Sequence, residues 1–291
     1  MSPFSVNMDD FALDSGALAG SLAGRLAAAR EAGFNQITLH ASDLSQHAQG
    51  VAAAVAEVLG SGLRVSAFDA LNDFEGLSGP LQACKLDVAK ALLEMCQAVH
   101  CHQLVLNAST LPGAASDNAT LVRHLRQLAM LAIPKNIRIA YRAHAGAHSI
   151  RDFGQAWDLV CMADMPNLGL CLDATQTLAS PCTDNDLEML DAEKLFLVQL
   201  ADSLDLADPQ ARLFPGEGVR RTELATFVST LHTLGYRGDY SLGLSNPDYQ
   251  SLPAPGVADR AWRAALWLGQ DVLQRSVPLP NQIRLRRVLT H

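Results

Sequence analysis

Asp173 closes the apolar run LGLCLD, and Gln199 lies inside the run LFLVQL. A carboxylate and an amide oxygen at the ends of apolar segments are oxygen donors suited to a hard dication. The same aspartate can instead cap the helix that follows. Arg142 ends RIAYR and His144 follows two residues later, so extended backbone turns both side chains to one face. A guanidinium there can form a bidentate pair with a carboxylate such as Asp173, putting a fixed cation where an ion would sit. His144 with Asp173 and Gln199 makes a weaker three-ligand set, although a lone histidine near a strand end usually just hydrogen-bonds. Glu217 belongs to FPGEG, whose glycines permit a tight turn with backbone N–H groups able to hold an anion; Glu217 itself would repel a phosphate. His40, Asn246 and Asp248 lie at or after predicted strand ends, and His100 and His102 read as polar residues at a strand entry.

Eight apolar or β-branched runs must position these groups: 3–8, 36–41, 64–69, 103–108, 138–143, 168–173, 195–201 and 239–245. Ala- and Leu-rich helical stretches such as SLAGRLAAAREAG and VAAAVAEVLGSG separate them, with Gly33 and Gly62 where C-caps belong. Strands alternating with helices predict parallel βαβ units, and eight such units predict an α/β fold closed as a (β/α)8 TIM barrel. No GxGxxG or Walker-type loop supports a doubly wound sheet. Barrel active sites lie at the C-terminal ends of the strands, where Arg142, Asp173 and Gln199 fall. We expect one domain, 1–275, ending in a helix over 260–274, and a tail, 276–291, that is either solvated or a docking arm.

The chain has 291 residues, 49% of them hydrophobic, enough to fill such a barrel. Its net charge of −8 and the lack of a basic stripe argue against nucleic acid. The six cysteines, Cys84, Cys96, Cys101, Cys161, Cys171 and Cys182, include no CxxC pair and read as buried free thiols in a reducing cytoplasm. No signal-like N-terminus or bilayer-length apolar run is present, so neither secretion nor a membrane is expected.

The wording AYR (140–142), GLCLD (169–173), FLVQLAD (196–202), FPGEG (214–218) and SLGLSN (241–246) resembles the xylose-isomerase-like barrels, the sugar isomerases and epimerases, and within them bacterial 3-dehydroshikimate dehydratase. The resemblance runs from about residue 30 to about residue 250. It implies one divalent cation held by a glutamate, an aspartate, a glutamine or histidine, and a glutamate on strands five to eight. Asp173 and Gln199 fit this pattern, whereas Arg142 and Gly243 stand where the glutamates belong. A cation and a missing side chain remove the negative charge that offsets a dication's dehydration. Asn72 replaces the arginine expected before DFEG, Gln176 a histidine after the strand-six aspartate, and Thr38 an acidic residue on strand two. The loop SLDLADPQAR is short and lacks the substrate-holding wording of the resembled family.

These departures lead us to expect a degenerate dehydratase-like barrel with no cofactor, serving in binding, regulation or scaffolding. The alternative is an active lyase or isomerase/epimerase built from Arg142, His144, Asp173, Gln199 and Glu217, with Mg, Mn or Co if the site has been rebuilt. Expected partners are a small polar or carboxylate ligand and either a second copy of the chain or another protein.

Overall fold

The computed structural model describes residues 8–180, 184–205, 212–243 and 246–275. Eight parallel strands close into a barrel in the order β1-β10-β7-β6-β5-β4-β3-β2. They are β1 (Phe11–Asp14), β2 (Gln36–His40), β3 (Arg64–Asn72), β4 (Gln103–Asn107), β5 (Arg138–Arg142), β6 (Leu168–Asp173), β7 (Leu195–Leu200) and β10 (Asp239–Leu242). A short antiparallel pair, β8 (Asp202–Ser203) and β9 (Arg212–Leu213), follows β7.

The first strand is not the run at 3–8, of which 3–7 lie outside the described residues. It is Phe11–Asp14, paired with β2 and β10 and buried at every position. Its signal is short, and the Asp-Ser-Gly sequence that closes it reads as a turn. The predicted last helix begins earlier than 260: α11 is Ala254–Trp267, entered from Pro253 and continued by a π-helical turn to Val272. The tail 276–291 and Cys182 lie outside the described residues. Of the other cysteines, Cys96, Cys101 and Cys171 are buried as expected, but Cys84 and Cys161 are exposed on the outer faces of their helices.

The helices start and stop where local chemistry requires. Ser21 caps α1 (Leu22–Ala32) by accepting from the Gly24 N–H, and Gly33 ends it with φ 115°. Asp152 likewise caps α6 (Phe153–Ala163) through the Gln155 N–H. Within the barrel, side chains alternate inward along each strand. Midway along, Val105, Ala140, Cys171 and Leu197 form an apolar cluster on β4 to β7. On the opposite wall Thr38 hydrogen-bonds both Ser66, at 3.0 Å, and Ser241, at 2.9 Å. Thr38 therefore serves inside the wall as a hydroxyl bridge between strands.

Among the described residues no helix is long and apolar enough to cross a membrane.

Candidate functional site

One residue per strand reaches the C-terminal mouth: Asp14, His40, Asp69, Asn107, Arg142, Asp173, Gln199 and, just past β10, Gly243. Arg142 lies nearly buried at its centre. Its Nη1 and Nη2 each donate to an Asp69 carboxylate oxygen at 3.2 Å, Nε donates to Asn107 Oδ1 at 2.6 Å, and Nη1 also donates to Gln199 Oε1. Gln199 Nε2 donates to Asp69 Oδ2 at 2.7 Å, closing the triangle. Burial alone would lower the Arg142 pKa, but Asp69 reverses this and holds it above its ordinary value.

The expected Arg142–Asp173 pair is therefore corrected. Asp69, on the C-terminal half of β3, claims the guanidinium, and Asp173 takes Arg212 instead, at 2.8 Å. Asp173 also caps α7 (Ala174–Ala179), accepting from the Gln176 N–H and the Thr175 hydroxyl. The cap and the strand-end functional position coincide. Burial would raise the Asp173 pKa, yet Arg212 and Arg142 overcome it and bring it down to about 2.

Gly243 has φ 88°, a conformation costly for any side chain, and a Cβ there would lie 2.8 Å from Phe214 Cε1. The aromatic ring thus occupies the space in which the expected glutamate would begin. A divalent cation does not fit these residues. A guanidinium lies among the oxygens that would bind it, Asp173 has its own arginine, and Phe214 covers the fourth position. Among the described residues, no group of three His, Cys, Asp or Glu side chains is placed to hold a metal ion.

His144 stands at the rim, half-buried, with Nδ1 accepting from the Gly146 N–H at 3.1 Å. Gln199 Oε1 accepts from Arg142 and Asp173 from Arg212, so the oxygens that His144 was expected to join in a three-ligand set face guanidinium groups instead. Burial, with Arg142 nearby, lowers the His144 pKa. Gln176 donates to Asp173 and accepts from the Ala145 N–H, which ties α7 to the His144 loop. Asn72 accepts from Asn107 at 2.6 Å.

Glu217 is away from this ring. Its carboxylate accepts from the Tyr249 hydroxyl at 2.6 Å and from Arg260 at 2.8 and 3.0 Å, while Tyr249 stacks on Phe214. The anion held by the PGEG turn is the chain's own Asp202. It is fully buried and accepts from the N–H groups of Gly216, Gly218, Arg220 and Ser203. FLVQLAD and FPGEG occur together because the aspartate of the first organises the turn of the second. Asn246 caps α10 (Pro247–Gln250) through the Asp248 N–H, and Asp248 is exposed.

Sequence reasoning missed Asp69, Asp14 and Arg212. Asp14 ends β1 and Asp69 ends the predicted run 64–69, the same signal that singled out Asp173, although β3 itself continues to Asn72. Arg212 begins β9, and no local pattern reveals that its side chain reaches Asp173.

On the β1–β2 side His40 Nε2 lies 2.7 Å from Asp14 Oδ1, and that oxygen also accepts from the Gly16 N–H. Burial would lower the His40 pKa; Asp14 foremost, then Asp69 and Asp43, raise it to about 10.

A model of the xylose isomerase-like TIM barrel family matches residues 26–268. The 3-dehydroshikimate dehydratase of Pseudomonas aeruginosa is 32% identical over 90% of this chain and 42% of its own length. An inosose isomerase of Halalkalibacterium halodurans is 31% identical over 46% of this chain and 48% of its own. A solved xylose isomerase-like TIM barrel/4-hydroxyphenylpyruvate dioxygenase fusion protein superposes with a TM-score of 0.84 at 27% identity, over 97% of this chain and 44% of that one. The chain thus spans about two fifths of the dehydratase it matches. With its closed eight-stranded barrel and a family match over most of its length, the chain belongs to the xylose isomerase-like TIM barrel family.

Proposed function

We propose that this barrel is a metal-independent, small-molecule-binding relative of the 3-dehydroshikimate dehydratases that does not carry out their reaction. The observation that carries the reading is the Arg142 guanidinium, held in two-pronged contact with Asp69 and bonded to Gln199 and Asn107. It supplies at the strand ends the positive charge that a bound cation supplies in the resembled family. Dehydration beside a carbonyl needs a base and an electrophile that stabilises the enolate. Here the candidate electrophile is already saturated by Asp69, so little of its donor capacity is left for a substrate oxygen. Opening of the mouth remains on the side of His40, Asn107 and His144, which are all partly exposed.

The test is elemental analysis of the purified chain together with an assay of 3-dehydroshikimate conversion to protocatechuate, with and without chelator. Protein free of bound divalent metal and without dehydratase turnover is the expected result. One metal ion per chain, or protocatechuate formation abolished by chelation, would overturn the proposal and favour the rebuilt lyase or isomerase.

A further inference from the structure

Six carboxyl side chains are buried among the described residues: Asp14, Asp43, Asp69, Glu75, Asp173 and Asp202. Four of them face a cation, in His40, Arg25, Arg142 and Arg212. Asp202 receives four backbone N–H groups over its two oxygens. Glu75 has neither arrangement. Its Oε1 accepts from the Ser109 N–H at 2.6 Å and from the Tyr141 hydroxyl at 3.0 Å, while its Oε2 is buried with no hydrogen-bond partner among the described residues.

The surroundings add no paired cation. Asp73 acts on Glu75 from the same connection, Tyr141 faces it from β5, and His124 comes from α5 (Asn118–Ala132), accepting from the Gly76 N–H through Nδ1. A ring that accepts at Nδ1 is neutral, and burial, then Arg123, lowers the His124 pKa. Ionising Glu75 in place would therefore bury an unpaired charge. Burial outweighs the Ser109 and Tyr141 hydrogen bonds and raises its pKa from 4.5 to about 7.

Residues 73–78 join β3 to α4 (Gly79–Ala98) at the mouth end of the barrel. They are fastened to the loop after β4 by Glu75 on Ser109, by Asp73 on the N–H and hydroxyl of Thr110, and by the Gly76 carbonyl on the Ala115 N–H. Asp73 is partly exposed, so Glu75 supplies the only carboxyl in this set that is sealed from solvent. Just before it, Asn72 accepts from Asn107, whose Oδ1 accepts from Arg142. The connection thus reaches the centre of the mouth.

We propose that Glu75 is a pH-sensitive latch of the barrel mouth: as a neutral acid it fastens the β3–α4 connection to Ser109 and to β5, and as a carboxylate it loosens both. Release gives the carboxylate the water that its buried place denies it. The folded pKa lies above the ordinary one, so the latch is complete below 4.5 and weakens as pH rises through about 7. The inference is independent of whether the mouth holds a metal ion and of what it binds.

The experiment is amide hydrogen exchange of the full chain from about pH 5 to about pH 8, corrected for intrinsic rates and read at Ser109 and Thr110 in wild type and Glu75→Gln. Glutamine keeps the size and an acceptor oxygen but does not ionise, and the variant retains His124, so its profile carries the other titrations. Relative to the variant, wild-type protection should fall about tenfold per pH unit up to about pH 7 and then level off. If the variant does not fold, the Glu75 carboxyl carbon resonance of the wild type decides: it must titrate well above 4.5, with protection ceasing to fall once that titration is complete. Equal profiles in wild type and variant, or a carboxyl that titrates at 4.5, would overturn the inference. So would an equal loss of protection along β6, which would mark opening of the whole fold instead of one connection.

Discussion

The two sides of the barrel mouth solve one electrostatic problem differently. On the β5–β7 side, Arg142, Asp173 and Gln199 are enclosed, their charges matched by Asp69 and Arg212, and Phe214 covers the end of β10. On the β1–β2 side, Asp14 is equally buried, but its partner His40 stays in reach of solvent. Both sides are close to neutral. They differ in whether the paired charges are sealed within the fold or stay in reach of solvent.

Arg142→Ala should break the enclosed side most severely. Asp69 would remain buried beside Gln199 without its cation, at a cost of about 3–5 kcal/mol. Urea denaturation checks this, and an unchanged midpoint would mean that the enclosure carries no energy. Next in size is Gly243→Glu, which sets a side chain at φ 88° against Phe214. It should destabilise by about 1–3 kcal/mol and should create no divalent-ion binding by calorimetry, even combined with Arg142→Glu. Ion binding by that double variant would show that Phe214 yields.

Titration should distinguish the two sides without mutation. Asp173 has its folded pKa depressed to about 2 from 3.8, so its contribution is present above the unfolded value and is lost as pH falls toward 2. His40 has its folded pKa raised from 6.5 to about 10, so its contribution is complete below 6.5 and is lost as pH rises through about 10. Melting temperatures across pH should therefore show an alkaline loss that His40→Gln removes and an acid loss that it leaves. A His40 variant with the wild-type alkaline limb would break the assignment. The smallest effect is expected at Glu217→Gln. It loosens a partly exposed contact with Arg260 and Tyr249, should cost about 1 kcal/mol or less, and should leave mouth binding unchanged.

Seven of the eight barrel strands were legible because buried parallel strands read as apolar runs between helices. β1 was not, because four residues ending in a turn signal carry little periodicity, although Leu13 and Phe11 are as deeply buried as any core residue. At the site, Arg142, Asp173 and Gln199 announced themselves through position at strand ends. Their pairing did not. Which carboxylate a guanidinium takes depends on strand register, and the register of β3 against β4 shifts between Phe68 and Leu71, where Asp69 meets Arg142. Glu217 drew attention because it sits in a recognisable motif, yet that motif owes its form to Asp202 fourteen residues before Gly216. The wording of a motif reports the hydrogen bonds it satisfies, and those can serve shape alone.

The cation at the centre of the mouth is part of the polypeptide. It obeys no mass action: neither dilution nor a chelator removes a guanidinium that is covalently part of β5. Arg142 acquires its charge balance when β3 and β5 are both in place on either side of β4, and its surroundings are complete as soon as the chain has folded.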